Sequence, residues 1–214
     1  MTHISHLLED IYGHQVIGFH RTNKAGMANL TSGHFFLSSS EGTYGPGIYL
    51  TYDFESQQTL YMIDNYGEYI IKCRVFMNNF LILDPPIAQR IYGDNWHWIS
   101  QLEYFLRQMP PSSQFNVRRE LGHVKAEGYP TYTSGLARIL LSVFRKNLSK
   151  YLGVSGLVFT GRQDGHVIVT YDSNAVTPLS WIHAPNIMKN ILPNTLEWHS
   201  VSSIAKDTLL YSLR

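Results

Sequence analysis

The spacing of hydrophobic and polar positions changes several times along the chain, and each change marks an element. Ile4, Leu7, Leu8 and Ile11 fall at helical spacing, and Gly13 ends that helix. VIGFHRT (16–22) reads as a short buried strand, AGMANLTSG (25–33) as a short helix stopped by Gly33, and FFLSS (35–39) as extended chain. GTYGPGIYLT (42–51) packs three glycines and a proline into a tight turn that runs into an apolar strand, IYLT. DFESQQTLYMIDNYG (53–67) has a helical pattern with Asp53 as N-cap and Leu60 and Ile63 facing inward.

EYIIKCRVFMNNFLILD (68–84) is the clearest β signal, rich in Ile, Val and Phe. MNN interrupts it, and DPP at 84–86 stops it. A helical stretch follows: NWHWISQLEYFLRQM (95–109), a loop PPSSQ (110–114), a short helix over 115–124 and a turn EGYPTY (127–132). TSGLARILLSVFRKNLSKYLG (133–153) predicts one long helix with Leu136, Leu140, Val143, Phe144 and Leu148 on one side. VSGLVFT (154–160), the turn GRQDG (161–165) and HVIVTYD (166–172) predict a β-hairpin. NAVTPLSWIH and a mixed tail (185–214) end the chain. With no internal repeat or linker, residues 1–214 read as a single α+β domain, β-rich at both ends, with a helical insertion at about 87–150.

Composition narrows the function classes. Hydrophobic residues make up 44% and charged residues 15%, which suits a globular domain. A net charge of +1 provides no strong field for nucleic acid or membrane. Arg118, Arg119, Lys125, Arg138, Arg145, Lys146 and Lys150 of the insertion read as a solvated helix face. Cys73, the single cysteine, sits in an apolar run and reads as a buried, inert thiol. The N-terminus lacks the basic and apolar regions of a signal peptide, and no apolar run approaches the ~18 residues of a membrane span. Ten histidines are scattered without HxxxH or HExxH spacing, so no metal is expected.

Three pieces carry chemistry in order: GFHRT, with His20 at the end of a buried strand; YGPGIYLT, followed by a helix bearing Tyr61; and VIVTYDSNAV near the end. Together they resemble the ADP-ribosyltransferases of the diphtheria toxin and poly(ADP-ribose) polymerase type, over residues 16–84 and 153–180. GVSGLVFTGRQDGHVIVTYDSNAVTPL is similar in style to phage-encoded members. The resemblance implies a split β-sandwich core and an enzyme that takes NAD as substrate and needs no metal. It implies that Tyr49 and Tyr61 clamp the nicotinamide between aromatic faces. Tyr61 lies one position beyond the family's usual spacing, where Leu60 stands. By the same resemblance, the main chain of Arg21 binds the carboxamide, His20 the adenosine-side ribose, and Thr22 supports the strand end. Arg162 and the Arg21 side chain are candidates for the pyrophosphate, and Tyr44 reads as loop surface.

The pattern breaks at the family's acid. Aligning the last strand puts Val167 where glutamate is expected, and no Glu occurs between 128 and 196. Either Asp164 or His166 substitutes, or the enzyme transfers a single ADP-ribose with help from its substrate, or the domain binds without turnover. A one-residue slip of the strand would exchange Val167 and His166. The expected function is mono-ADP-ribosylation of a protein or nucleic-acid acceptor in the cytoplasm, as by a phage or bacterial effector. The competing expectations are a non-catalytic NAD-binding or interaction module and an RNA 2′-phosphotransferase-like enzyme.

Overall fold

β-Branched and aromatic residues in the runs QVIGFHRT and YIIKCRVF favour extended chain, and the two segments pair along their whole length. The computed structural model describes residues 15–31, 42–52, 67–84, 87–88, 106–107, 109–126, 133–145, 147–161, 165–183 and 197–201. The strands are β1 (Gln15–Thr22), β2 (Ile48–Thr51), β3 (Tyr69–Phe76), β4 (Phe80–Ile82), β5 (Gly156–Gly161), β6 (Gly165–Thr170), β7 (Val176–His183) and β8 (His199–Ser200). The helices are α1 (Lys24–Thr31), α2 (Pro111–Ala126), α3 (Ser134–Val143) and α4 (Leu148–Leu152).

The chain is α+β, with one mixed eight-stranded sheet in the order β4-β5-β6-β2-β1-β3-β7-β8. β4 and β5 are parallel, and the other pairings are antiparallel. At the middle of the sheet only Phe19 and Thr51 are in register between β1 and β2. One core cluster joins Val16, Ile71, Cys73 and Val75 of one half to Leu50, Phe80, Ile82, Val158 and Ile168 of the other. The sheet is therefore creased at β1–β2, and its halves close on a shared core as two leaves. Outside the second leaf, Leu136, Ala137, Leu140 and Leu141 of α3, with Val117 of α2, cover Leu157, Phe159, Val167 and Val169. A third cluster, Ile17, Phe19, Ile70 and Ile182, backs the first leaf. Cys73 lies fully buried, and burial pushes its thiol pKa up.

The β5–β6 hairpin forms as expected, with Gly161 opposite Gly165. Four other expectations are corrected. The loop at 110–114 is instead the first turn of α2: Pro111 opens the helix, where a missing N–H costs nothing, and the Ser113 and Gln114 N–H groups donate to the Pro110 carbonyl. The long helix over 133–153 is two helices. Arg145 takes a left-handed φ of 49°, and Asn147 caps α4 by accepting from the Lys150 N–H at 3.0 Å. VTPLSWIH is a full strand, with Pro178 placed where the register with β3 shifts. β3 and β4, contiguous in sequence, lie in opposite leaves. The expected helices at 4–12, 53–67 and most of 95–109, and the extended piece at 35–39, lie outside the described residues. Among the described residues no helix is long and apolar enough to cross a membrane.

Gly67 leads into β3 with φ of 85°, and a Cβ there would come within 2.2 Å of the Thr22 carbonyl carbon. Its own carbonyl accepts from Arg21 Nε at 2.8 Å. Gly67→Ala is expected to cost about 3 kcal/mol, measured as a lowered denaturation midpoint, because strain in φ and a backbone clash fall on the same atom.

Candidate functional site

His20 ends the apolar run of β1 and is half-buried beside the crease. Its Nδ1 lies 2.8 Å from the Tyr49 carbonyl oxygen. A carbonyl only accepts, so Nδ1 carries the proton and Nε2 keeps its lone pair. Burial holds the imidazole pKa below its ordinary range against the opposing effect of this hydrogen bond, so the ring is neutral at neutral pH. Arg21 turns its guanidinium to the Gly67 carbonyl. The Thr22 hydroxyl lies against Gly26 of α1, so close that a Cβ there would overlap it.

The glycine turn wraps the phenol of Tyr49. Its hydroxyl donates to the Gly45 carbonyl at 2.5 Å and accepts from the Tyr44 N–H at 3.0 Å. Gly45 takes φ of 91°, and a Cβ at Gly42 would collide with the hydroxyl. The Tyr49 ring leans on the helix-covered cluster, whereas its neighbours Ile48 and Leu50 point between the leaves. Tyr44 is buried, not loop surface. Its ring meets Phe159 at 4.2 Å between centroids, and its carbonyl accepts from the Tyr171 hydroxyl at 3.2 Å. Burial first, and then the Tyr49 phenol, push the Tyr171 pKa up, which keeps that hydroxyl a donor.

Val167 and His166 point to opposite faces of β6. Val167 lies in register with Thr51 and Phe159 and is buried in the helix-covered cluster. His166 meets a group that sequence reasoning missed. Its Nδ1 is 2.9 Å from Asp84 Oδ2, and its ring stacks on Tyr52 at 4.9 Å and 25°. Thr160 donates to the same Asp84 oxygen at 2.5 Å, and the Ile87 N–H donates to Asp84 Oδ1 at 3.2 Å. The Asp84 side chain is 2% exposed and that of His166 26%, so the carboxylate is buried and the imidazole reaches solvent. The available signal was Asp84 itself, an acid closing the apolar run FLIL, since a buried acid must find a partner. Asp84 and His166 are two possible metal ligands, but no group of three or more occurs among the described residues.

Of the expected site residues, His20, Arg21, Thr22, Tyr49, His166 and Val167 fall on β1, β2 and β6, three neighbouring strands. Tyr61, Arg162 and Asp164 lie outside the described residues. No protein-family model, curated protein or solved structure matches the chain.

Proposed function

We propose that this chain is a mono-ADP-ribosyltransferase that cleaves NAD at the nicotinamide–ribose bond and passes ADP-ribose to an acceptor. One observation carries the reading. The three motifs, far apart in sequence, occupy adjacent strands in the order β6-β2-β1, and His20 is bonded to the carbonyl of Tyr49 across the crease. The two-leaved sheet is compatible with the split β-sandwich that the resemblance implies. A neutral His20 accepts from a ribose hydroxyl through Nε2. The glycine turn holds Tyr49 in one orientation, as an aromatic wall requires. Catalysis is then mainly positioning of NAD for departure of nicotinamide through an oxocarbenium-like transition state. Val167 is apolar and buried, which favours a single transfer over chain elongation.

The test is nicotinamide release from NAD, with label transfer to a cell lysate, by the wild type, His20→Ala and Tyr49→Ala. Wild-type turnover is expected, with losses of about 100-fold or more in both variants, because small misplacements at the reacting centre are that costly. NAD binding without turnover by the wild type would instead favour the non-catalytic module. No binding at all would remove both readings.

A further inference from the structure

We infer that His166, oriented by Asp84, is the catalytic base that takes a proton from the incoming nucleophile, and that the acceptor attacks through a hydroxyl group. This rests on the transferase reading. The buried Asp84 carboxylate accepts from His166 Nδ1, which leaves the lone pair on Nε2, and Tyr52 holds the ring flat. Thr160 and the Ile87 N–H fix the carboxylate in turn. This is a base with an orienting partner, and the base sits at the partly exposed end.

Its position suits the role. β6 pairs with β2, and the His166 carbonyl accepts from the Tyr52 N–H at 3.2 Å, just beyond the Thr51–Phe19 pair at the crease. Two strand spacings and a two-residue stagger separate His166 from His20, on the order of 12 Å. That leaves room for the nicotinamide ribose and its attacker between a His20-bound ribose and His166.

The chemistry selects the acceptor. The C1′–N bond breaks and its electron pair leaves with nicotinamide. The acceptor oxygen bonds to C1′, and its proton passes to His166 Nε2 and then to water. A carboxylate acceptor arrives without that proton and leaves the base nothing to do. A hydroxyl needs it. The groups facing His166 are Asp84 at the end of β4, Thr160 on β5 and Tyr52 after β2, and Asp84 supplies the charge that favours protonation of the ring.

The experiment uses NAD with methanol as hydroxyl probe and acetate as carboxylate probe, across pH 5–9. His166→Gln is expected to slow methanol transfer about 10²–10⁴-fold, with acetate trapping and NAD affinity unchanged and the acid limb of the methanol profile abolished. Asp84→Asn, which preserves side-chain size, is expected to lose less rate and to move that acid limb to lower pH. It also serves if His166→Gln fails to fold. Equal losses for both probes make the cluster a structural tie and overturn the inference, as does an undiminished methanol rate in His166→Gln. In both of those outcomes the wild type still consumes NAD, so the transferase reading stands. A wild type that releases no nicotinamide overturns the transferase reading, and this inference with it.

Discussion

Val167→Glu, the substitution that would restore the acid of the resembled family, is expected to destabilise the protein by about 3 kcal/mol or more and to leave NAD turnover no higher than in the wild type. Val167 is 5% exposed, lies between Thr51 and Phe159 in register, and belongs to the cluster under α3. A carboxylate there loses its hydration and gains no charged partner among the residues in register. Burial raises a carboxyl pKa, so the penalty is largest above the new folded value. It shrinks as the pH falls through that value towards the unfolded one near ~4.3. Urea midpoints at pH 5 and pH 8, with nicotinamide release on the same samples, check both parts. A stable variant with raised turnover would show that position 167 faces the reacting centre.

Phe159→Ala carries the second large effect, about 3–5 kcal/mol. Phe159 is fully buried, lies in register with Val167 and meets the Tyr44 ring. Removing it leaves a cavity between β5 and the helical layer and also frees Tyr44. Tyr44 donates its N–H to the Tyr49 hydroxyl, so the loss extends to the turn that orients Tyr49. Two readouts are needed: the denaturation midpoint, and NAD affinity at a temperature where the variant is still folded. Both are expected to fall. A midpoint loss under about 1 kcal/mol would mean that the site collapses around the missing ring, as some cores do. Unchanged NAD affinity in a destabilised but folded variant would separate Tyr44 from the site.

Local patterns revealed the strands that are apolar and bounded by turn residues, and the β5–β6 hairpin through its glycine-flanked turn. They failed where a single residue overrides the local pattern. Arg145 and Asn147 break an otherwise continuous helical run, and Pro178 disguises β7 because it sits at the shift in register. Pairing between distant segments left no local trace either. MNN looked like an interruption in one β region, yet Asn79 at φ of 59° sends the chain to the far leaf. His20 and Tyr49 were legible as candidates because their residue types stand in ordered motifs. Asp84 was not, because its meaning depends on His166 and Thr160, which only the folded sheet brings to it. Tyr44 was misread because hydrophilic neighbours in a turn say nothing about which way a ring folds back.

The strand order also has a consequence for biosynthesis. β2 finds one neighbour, β1, early, but its other neighbour is β6, made only when residues 165–170 have been translated. At about 5–20 residues per second, the nascent chain carries a half-paired β2 for roughly ten seconds. The helical insertion emerges during that interval, and its α3 face is apolar until β5 and β6 arrive beneath it. Ribosome-bound intermediates ending before residue 165 should therefore recruit chaperones that cover apolar surface, and those that include the hairpin should release them.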